Sequence, residues 1–320
     1  MKRINLYRWP QIQLSCNLEN ERGMGMGLTM RLINFTIVFL FCLTTANTSA
    51  QKLNIATYNL RYENKSDSLN GNGWGQRLPV IAELIQFHDF DIFGAQEVFY
   101  SQLTGMLAAM PEYTYIGVGR TDGDKSGECS PVFYKREKFR LIKTGNFWLS
   151  QTDSIPGKGW DAALPRICTW GRFQIIENGK YFWFFNLHMD HLGIVARLEG
   201  TKLVLAKIKA MTGNEPVILT GDFNYDQRAE GYKIISQSGL LKDTYEIAEL
   251  RYALNGTFNN FNPQQKTDSR IDHIFVSNHF RAIRYGLLTD IYWTRSEQGG
   301  YIVRIPSDHY PVKVEVSFNK

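Results

Sequence analysis

The chain has 320 residues, of which 43% are hydrophobic and 21% charged, a composition typical of a globular protein long enough for one large core or two modest ones. Five of the 36 basic residues and two of the 31 acidic residues precede residue 51, so the formal charge from residue 51 onward is only +2. That balance, without a long Lys/Arg stripe interleaved with aromatic residues, does not indicate a processive nucleic-acid enzyme.

The first 50 residues have the pattern of an export signal. Arg31 precedes the apolar run 33–43, and small and polar residues follow as far as Ala50. A charged start, a short apolar stretch and a small-residue exit are typical of a secretory signal peptide, and the run is too short for a comfortable membrane span. We predict a leader over 1–50, with the signal peptide at about 30–50, a domain over 51–320, and a periplasmic or extracellular location. A buried N-terminal helix is the alternative.

Beyond the leader, the first predicted elements alternate between β-like and helical segments. The β-like segments 53–59, 91–97, 181–188, 216–222 and 270–276 each place a polar residue at or near an end. Their nearly continuous apolar runs suit strands covered on both faces. Further β-like stretches are 113–118, 131–134, 139–149 and 167–176, and Asn178-Gly179 predicts a hairpin turn after the last of these.

Helical periodicity occurs in three segments, 77–88, 193–211 and 230–237, and long loops are predicted at 120–128, 151–165 and 292–305. Because strands, hairpins and helices are mixed, we expect an α+β arrangement in which two central sheets carry helices outside.

Two cysteines lie beyond the leader, Cys129 and Cys168. In an oxidising compartment they can form a disulfide, and two buried free thiols are the alternative. Neither belongs to a cysteine/histidine cluster with zinc-ligand spacing, so a structural zinc site is not expected.

Polar residues at the strand ends suggest chemistry. Each of them alone fits a turn, a cap or a buried polar role, but residues from several strand ends converge only where the sheets build a site. Hydrolysis of a phosphoester needs a cation, a base for water and donors for the developing charge, and hard cations such as Mg²⁺ prefer oxygen ligands. The candidates are Asn59, Glu97, His188, Asp222, Asn224, Asp272, Asp308 and His309.

The same segments resemble the endonuclease/exonuclease/phosphatase superfamily, which includes pancreatic deoxyribonuclease. The motifs occur in the family's order: Thr57-Tyr58-Asn59-Leu60-Arg61, Gly94-Ala95-Gln96-Glu97-Val98, Asn186-Leu187-His188-Met189-Asp190, Gly221-Asp222-Phe223-Asn224, Arg270-Ile271-Asp272-His273-Ile274 and Ser307-Asp308-His309-Tyr310-Pro311-Val312. The resemblance implies a four-layer α/β/β/α sandwich, with two mixed, mostly antiparallel sheets packed face to face and helices outside. It also implies metal-assisted hydrolysis of phosphoesters.

Residue roles follow from the resemblance. Glu97 matches the principal metal ligand, with Asn59 beside it and Asp308 acting directly or through water. The implied cofactor is Mg²⁺, with Mn²⁺ or Ca²⁺ as alternatives.

The remaining matches concern the attacking water and the phosphate. His309 matches the histidine that assists water attack, and Asp272 matches the acid that orients it. Asp222 and Asn224 match the pair that positions the nucleophile and a phosphate oxygen, while His188 matches a donor to phosphate. Whether the histidine or an aspartate is the base stays open.

Three further residues are candidates for substrate binding. Arg166 can reach a substrate phosphate or fix its loop through an acid. Trp160 can stack on substrate or anchor its loop, and Tyr134 can donate to phosphate or lie in the core.

These features together predict an exported, divalent-metal-dependent hydrolase of phosphoester bonds, either a phosphodiesterase or a phosphatase. The phosphoester itself and the oligomeric state stay open, nucleic acid is not indicated by charge, and no stable membrane span is expected. An extracellular nuclease is the alternative, and a non-catalytic binding protein on the same fold is a weaker one.

Overall fold

Strands and helices alternate along the computed structural model, which describes residues 51–319. The strands are β1 (Lys52–Asn59), β2 (Ile92–Gln96), β3 (Tyr113–Ile116), β4 (Val132–Lys135), β5 (Phe139–Trp148), β6 (Ile167–Ile175), β7 (Tyr181–His188), β8 (Val217–Asp222), β9 (Lys242–Asp243), β10 (Leu250–Tyr252), β11 (Asp272–Val276), β12 (Phe280–Leu287), β13 (Tyr292–Arg295), β14 (Tyr301–Arg304) and β15 (Val312–Phe318). The helices are α1 (Lys65–Leu69), α2 (Trp74–Phe87), α3 (Tyr100–Ala109), α4 (Ile194–Thr212), α5 (Glu230–Ser236) and α6 (Thr244–Ile247).

Two large mixed sheets contain most of these strands. The first has the order β10-β12-β15-β1-β2-β4-β3, the second has the order β5-β6-β7-β8-β11-β9, and β13 pairs with β14 in a separate hairpin. In the first sheet β1 is parallel to β2 and antiparallel to β15. In the second, β7 is parallel to β8, which is antiparallel to β11. The carboxyl ends of β1 and β2 therefore share an edge with the start of β15, and those of β7 and β8 share one with the start of β11.

The two sheets pack face to face through an apolar core. Strand β7 shows how the sequence builds it, since Phe182 and Phe184 belong to the core between the sheets while Trp183 and Phe185 belong to the outer core beneath a helix. Alternate side chains of a strand point to opposite faces, so an apolar run of this kind fills two cores at once. Each such side chain contributes roughly 1.5–3 kcal/mol on burial.

Helices cover both outer faces. On the first sheet, α2 and α3 pack through residues such as Ile81 and Met106. On the second, α4 and α5 pack through residues such as Val204 and Ile235. The result is the predicted four-layer α/β/β/α sandwich.

The predicted strands and helices are present with shifted boundaries at several ends, whereas helix α3 and strand β12 were not predicted. Helix α2 begins at Trp74, before the predicted start, so Pro79 lies inside the helix instead of in its first turn. The predicted loop 292–305 contains the β13–β14 hairpin, whose short strands are rich in β-forming residues.

Among residues 51–319, the two cysteines Cys129 and Cys168 are free and buried. Cys129 belongs to the outer core of the first sheet and Cys168 to the outer core of the second. Because the two cores lie on opposite sides of the sandwich, the free-thiol alternative is correct and the disulfide is not.

The predicted leader and signal peptide lie outside the described residues. Among the described helices, none combines the length and hydropathy needed to cross a bilayer.

Candidate active site

The ends of both sheets meet at a cleft of about 440 Å³. It is lined by residues at or just after the carboxyl ends of β1, β2, β7 and β8, and by residues just before β11 and β15. The lining residues are Arg61, Tyr62, Glu97, Glu128, Leu164, Arg166, His188, His191, Asp222, Asn224, Phe258, Asn260, Ile271, Asp308 and His309.

His309 and Asp272 form a hydrogen-bonded pair across the two sheets, with 2.9 Å between Nδ1 and Oδ2. The backbone N–H of Asp272 donates to Thr257 Oγ1 at 3.1 Å, and the ring of Phe258 packs edge-on against His309 at 5.0 Å. Both members are buried. A carboxylate on Nδ1 fixes the proton there, so Nε2 is the ring nitrogen left for chemistry.

Asp222 lies directly opposite Asp272 in the β8–β11 ladder. Its Oδ2 is 3.8 Å from Nε2 of His309 and 3.6 Å from Nε2 of His188. It also accepts a hydrogen bond from Asn59 Nδ2 at 3.0 Å. Asp222 therefore lies between the two histidines, close to Nε2 of each.

Burial and neighbouring charge shift these groups in different directions. Burial raises the pKa of Asp222, the Asp272 carboxylate raises it further, and the pKa reaches about 7. Burial by itself lowers the pKa of His309, but the carboxylates of Asp272 and Asp222 outweigh burial and hold that pKa well above its usual range. Burial, and then Arg166 and Arg120, hold the pKa of His188 well below its usual range. Titrating groups with opposed shifts in one cleft are typical of catalytic sites.

Asn224 holds His188 in place. Its backbone adopts the left-handed region at φ 51°, and its N–H donates to Asp222 Oδ1 at 2.9 Å. Its Nδ2 donates to Met189 O at 3.0 Å and lies 3.1 Å from His188 Nε2. The turn after β8 thus presents Asp222 and Asn224 together.

On the other side of the cleft, Glu97 and Asp308 face a shared cation, the guanidinium of Arg61. Its Nη1 is 3.5 Å from Asp308 Oδ2 and 4.0 Å from Glu97 Oε2. Asn59 Nδ2 also donates to Glu97 Oε1 at 3.1 Å. Glu97 lies at the end of β2 with φ 59°, a backbone turn that brings its side chain into the cleft.

Two groups of residues offer ligands for a cation. Asp222, Asp272 and His309 have ligand atoms within 4.8 Å of one another, but one ligand atom of Asp272 and one of His309 already bond each other. Glu97 and Asp308 supply the hard oxygen atoms that Mg²⁺ prefers, and Asn59 holds Glu97 beside them. Because two carboxylates here converge on a positive charge, this second set fits a divalent cation as the resemblance implied.

Arg166 is fixed by an acid, which is one of the two roles predicted for it, and it also lines the cleft. Its Nε donates to Asp190 Oδ2 at 3.2 Å, and its Nη2 lies 2.9 Å from His191 Nδ1. Its Nη1 is buried without a partner within the described chain, although the side chain lines the cleft. A fixed guanidinium with an unused donor is suited to binding an anion.

The other two substrate candidates lie away from the cleft lining. Tyr134 is 7% exposed in the core between the sheets, where its ring packs against Phe173 at 5.0 Å. Trp160 is half-buried with φ 50°, and its backbone N–H donates to Gln151 Oε1 at 3.3 Å. The geometry fits a core role for Tyr134 and a loop role for Trp160.

The sequence placed Glu128 beside a strand that borders the cleft and Arg61 within a motif, but assigned neither residue a role. Glu128 pairs with Arg120 at 2.8 Å through Oε1, while its buried Oε2 has no hydrogen-bond partner among the described residues and lies 3.9 Å from His188 Nδ1. The only signal for Arg61 was its position two residues after Asn59, and Glu128 comes from a predicted loop.

A buried polar layer beneath the cleft ties the sheets together. Gln96 Nε2 donates to Asn186 Oδ1 at 2.7 Å, and Thr220 Oγ1 donates to the same oxygen at 3.0 Å. Gly94 permits this contact, because a Cβ there would lie 2.1 Å from Asn186 Oδ1. The polar layer fixes the spacing between the strand ends that carry the site.

The sequence profile of the Endonuclease/Exonuclease/phosphatase family matches residues 56–309. The chain belongs to this family. Its strand-end motifs and its fold are those that the family resemblance implied, and it has the fold of phosphoester hydrolases.

Solved structures place the chain within the family. It is 55% identical to an endonuclease/exonuclease/phosphatase family protein from Bacteroides thetaiotaomicron, which covers 85% of this chain and 99% of that one with a TM-score of 0.83. It is 56% identical to a mannosyl-6-phosphatase of the same organism, covering 83% of this chain and 100% of that one with a TM-score of 0.81. The human Nocturnin catalytic domain, at 18% identity, 84% and 95% coverage and a TM-score of 0.61, shares the fold.

Proposed function

We propose that this protein is an exported, divalent-metal-dependent phosphatase that removes the phosphate from a sugar phosphate monoester. The observation that carries the proposal is the His309–Asp272 pair at 2.9 Å, set with Asp222 opposite the Glu97 and Asp308 carboxylates. The sugar phosphate is supported by the 56% identity to a mannosyl-6-phosphatase.

A bound Mg²⁺, held by Glu97 and Asp308 with Asn59 beside them, would polarise a phosphate oxygen and offset its charge. On the opposite side, Asp272 keeps the proton of His309 on Nδ1. Burial and the Asp272 carboxylate raise the pKa of Asp222, so Asp222 takes up the proton of the attacking water. The pKa of His309 is held well above its usual range, so Nε2 keeps its proton and donates to the developing charge. Such proton transfer contributes typically ~10²–10⁴-fold to the rate.

The phosphate is bound by donors on the second sheet. Asp190 and His191 engage Nε and Nη2 of Arg166, whereas the buried Nη1 has no hydrogen-bond partner within the described residues and is the donor that we assign to a phosphate oxygen. Asn224 supports this side of the cleft by holding His188 in place from the turn after β8. A monoester carries more negative charge than a diester, so a site with a fixed guanidinium and a cation favours it.

A nuclease is the second candidate, since the family includes nucleases. The formal charge of +2 beyond residue 50 does not favour a nuclease, because a protein that binds the phosphate backbone of DNA needs a cationic face. Export rests on the signal-peptide pattern.

A substrate panel with Mg²⁺ and with chelator tests the proposal. It contains mannose 6-phosphate, inositol phosphates, sphingomyelin, RNA, and single- and double-stranded DNA. We expect chelator-sensitive release of inorganic phosphate from the sugar phosphate. Hydrolysis of DNA or RNA without phosphate release from any sugar phosphate would replace the proposal with the nuclease.

A further inference from the structure

The β13–β14 hairpin has one face on the protein and one face in solvent. Trp293 pairs with Val303, and Arg295 pairs with Tyr301, so these four side chains share a face. On the other face Arg304 donates to the backbone oxygen of Asn70 at 2.7 Å. The face with Trp293 and Tyr301 therefore points away from the protein.

Two large aromatic side chains are exposed on that outer face. Trp293 is 59% exposed and Tyr301 is 66% exposed. They are diagonal neighbours across the two strands, and their side chains line one open apolar depression of about 410 Å³. Adjacent aromatic residues left in water mark a surface that contacts something else.

We infer that Trp293 and Tyr301 form a platform that binds the carbohydrate carrying the phosphate. This inference rests on the sugar-phosphatase function proposed above and extends it to a substrate larger than one sugar unit. A pyranose ring presents C–H groups on its face, and these pack on aromatic rings, while its hydroxyl groups need polar neighbours. Arg295, exposed directly opposite Tyr301, supplies a donor and a positive charge that complements an anionic glycan.

The composition of the hairpin favours a carbohydrate over a membrane. Its tip, residues 296–300, is Ser-Glu-Gln-Gly-Gly, which is polar and includes an acid. A segment that docks on a bilayer places apolar residues where it inserts and basic residues beside them. Here the aromatic side chains lie on the outer face of the hairpin, where a sugar ring can stack on them.

The chain segment that carries the platform continues directly into the candidate active site. Strand β14 leads through Pro306 to Ser307, whose Oγ donates to the backbone oxygen of Asn59 at 2.7 Å. Arg77 Nη1 donates to the backbone oxygens of Leu60 at 2.6 Å and of Pro306 at 3.1 Å. Tyr301 comes seven residues before Asp308, so its Cα lies within roughly 25 Å of that residue even along a fully extended chain. A short oligosaccharide can span that interval.

The test compares the wild type with the double variant Trp293→Ala/Tyr301→Ala on two substrates, mannose 6-phosphate and a mannose oligosaccharide with one terminal 6-phosphate. Tyr252→Ala is the matched control, because Tyr252 is 65% exposed on β10. We expect kcat/KM of the double variant to fall ~10–100-fold on the oligosaccharide, which corresponds to about 1 kcal/mol for each ring. It should change less than twofold on mannose 6-phosphate, and the control should match wild type on both.

Three results would overturn the platform. They are equal losses on both substrates, no loss on either, and loss of binding to phosphatidylglycerol/phosphatidylethanolamine vesicles without any effect on the oligosaccharide. Calorimetry with the unphosphorylated oligosaccharide separates the platform from the proposed function. Binding that the double variant loses supports the platform even if the wild type releases no phosphate, and absence of binding together with equal kcat/KM values contradicts it.

Discussion

Nδ1 of His309 lies 2.9 Å from Oδ2 of Asp272, although the first residue precedes a strand of the seven-stranded sheet and the second begins a strand of the six-stranded sheet. The pair therefore exists only when the two sheets are packed face to face. Proton transfer at the cleft depends on the sandwich as a whole, because neither sheet contains both members.

Replacing His309 should remove a charged donor from the cleft without unfolding the protein. We expect His309→Ala to lower kcat by ~10²–10⁴-fold on a sugar phosphate. Asp272→Asn should also lower kcat, because an amide no longer holds the proton on Nδ1. Steady-state kinetics and circular dichroism measure the two effects. His279→Ala, at a histidine on the turn before β12, is the control and should retain activity; full activity in folded His309→Ala would refute the assignment.

The metal assignment predicts a change in cation dependence. Glu97→Gln keeps the shape of the side chain and removes its charge, so the Mg²⁺ concentration for half-maximal activity should rise at least ~10-fold. Calorimetric titration with Mn²⁺ should show the same weakening without reference to activity. Unchanged Mn²⁺ affinity in Glu97→Gln would move the cation to the Asp222–Asp272–His309 group.

Arg166 should act on phosphate binding more than on folding. Arg166→Lys keeps a positive charge but loses the planar fork that bonds Asp190 and leaves Nη1 free. We expect kcat/KM on a sugar phosphate to fall ~10–100-fold and competitive inhibition by inorganic phosphate to weaken in parallel. If inhibition by phosphate keeps its wild-type strength, the anion does not bind at Nη1.

Asp190 should make stability depend on acid pH. Burial by itself raises the pKa of Asp190, but hydrogen bonds from the N–H groups of Gly193, Ala163 and Leu192, together with Arg166, outweigh it and hold that pKa far below its usual range. A lowered folded-state pKa adds stability above about pH 4, and this contribution is lost as the pH falls through the folded-state value.

Asp190→Asn should therefore lower the free energy of unfolding by ~1–3 kcal/mol at pH 7, and the difference from wild type should shrink below about pH 4. Urea titrations between pH 3 and pH 7 measure it. A difference that stays constant over this range would show that the charge of Asp190 is not responsible.

The two sheets approach each other so closely under the cleft that we expect Gly94 not to tolerate the addition of a single methyl group. Gly94→Ala would place Cβ 2.1 Å from Asn186 Oδ1, so we expect a loss of stability of ~1–3 kcal/mol or more and a lower kcat. The control is Gly75→Ala, where a Cβ meets nothing within 4 Å and helix α2 should gain up to ~1 kcal/mol. Thermal unfolding measures the stability of both variants. An unchanged stability of Gly94→Ala would contradict the close packing of the sheets at this position.

Much of the fold could be predicted because, in this chain, the candidate site residues lie at the ends of apolar strands. The apolar run before His188 predicted a strand, and its final histidine does line the cleft. The two-sheet arrangement followed from the mixture of elements, and the order of motifs implied the four layers.

Other features depend on contacts between distant segments, which local pattern does not contain. Glu128 faces His188 because a loop before β4 folds back on the cleft. The separation of Cys129 from Cys168 depends on which outer core each residue enters. Tyr134 lies in the core because of the face that β4 turns toward the second sheet, and one tyrosine in a short strand does not reveal that face.

The most direct test is release of inorganic phosphate from mannose 6-phosphate by wild type and by His309→Ala, with Mg²⁺, after excess chelator, and after Mg²⁺ is restored. The account predicts release by wild type with Mg²⁺, loss on chelation, recovery on restoration, and a rate at least ~10²-fold lower in His309→Ala under every condition. Release that persists in chelator, or equal release by the two proteins, would contradict it.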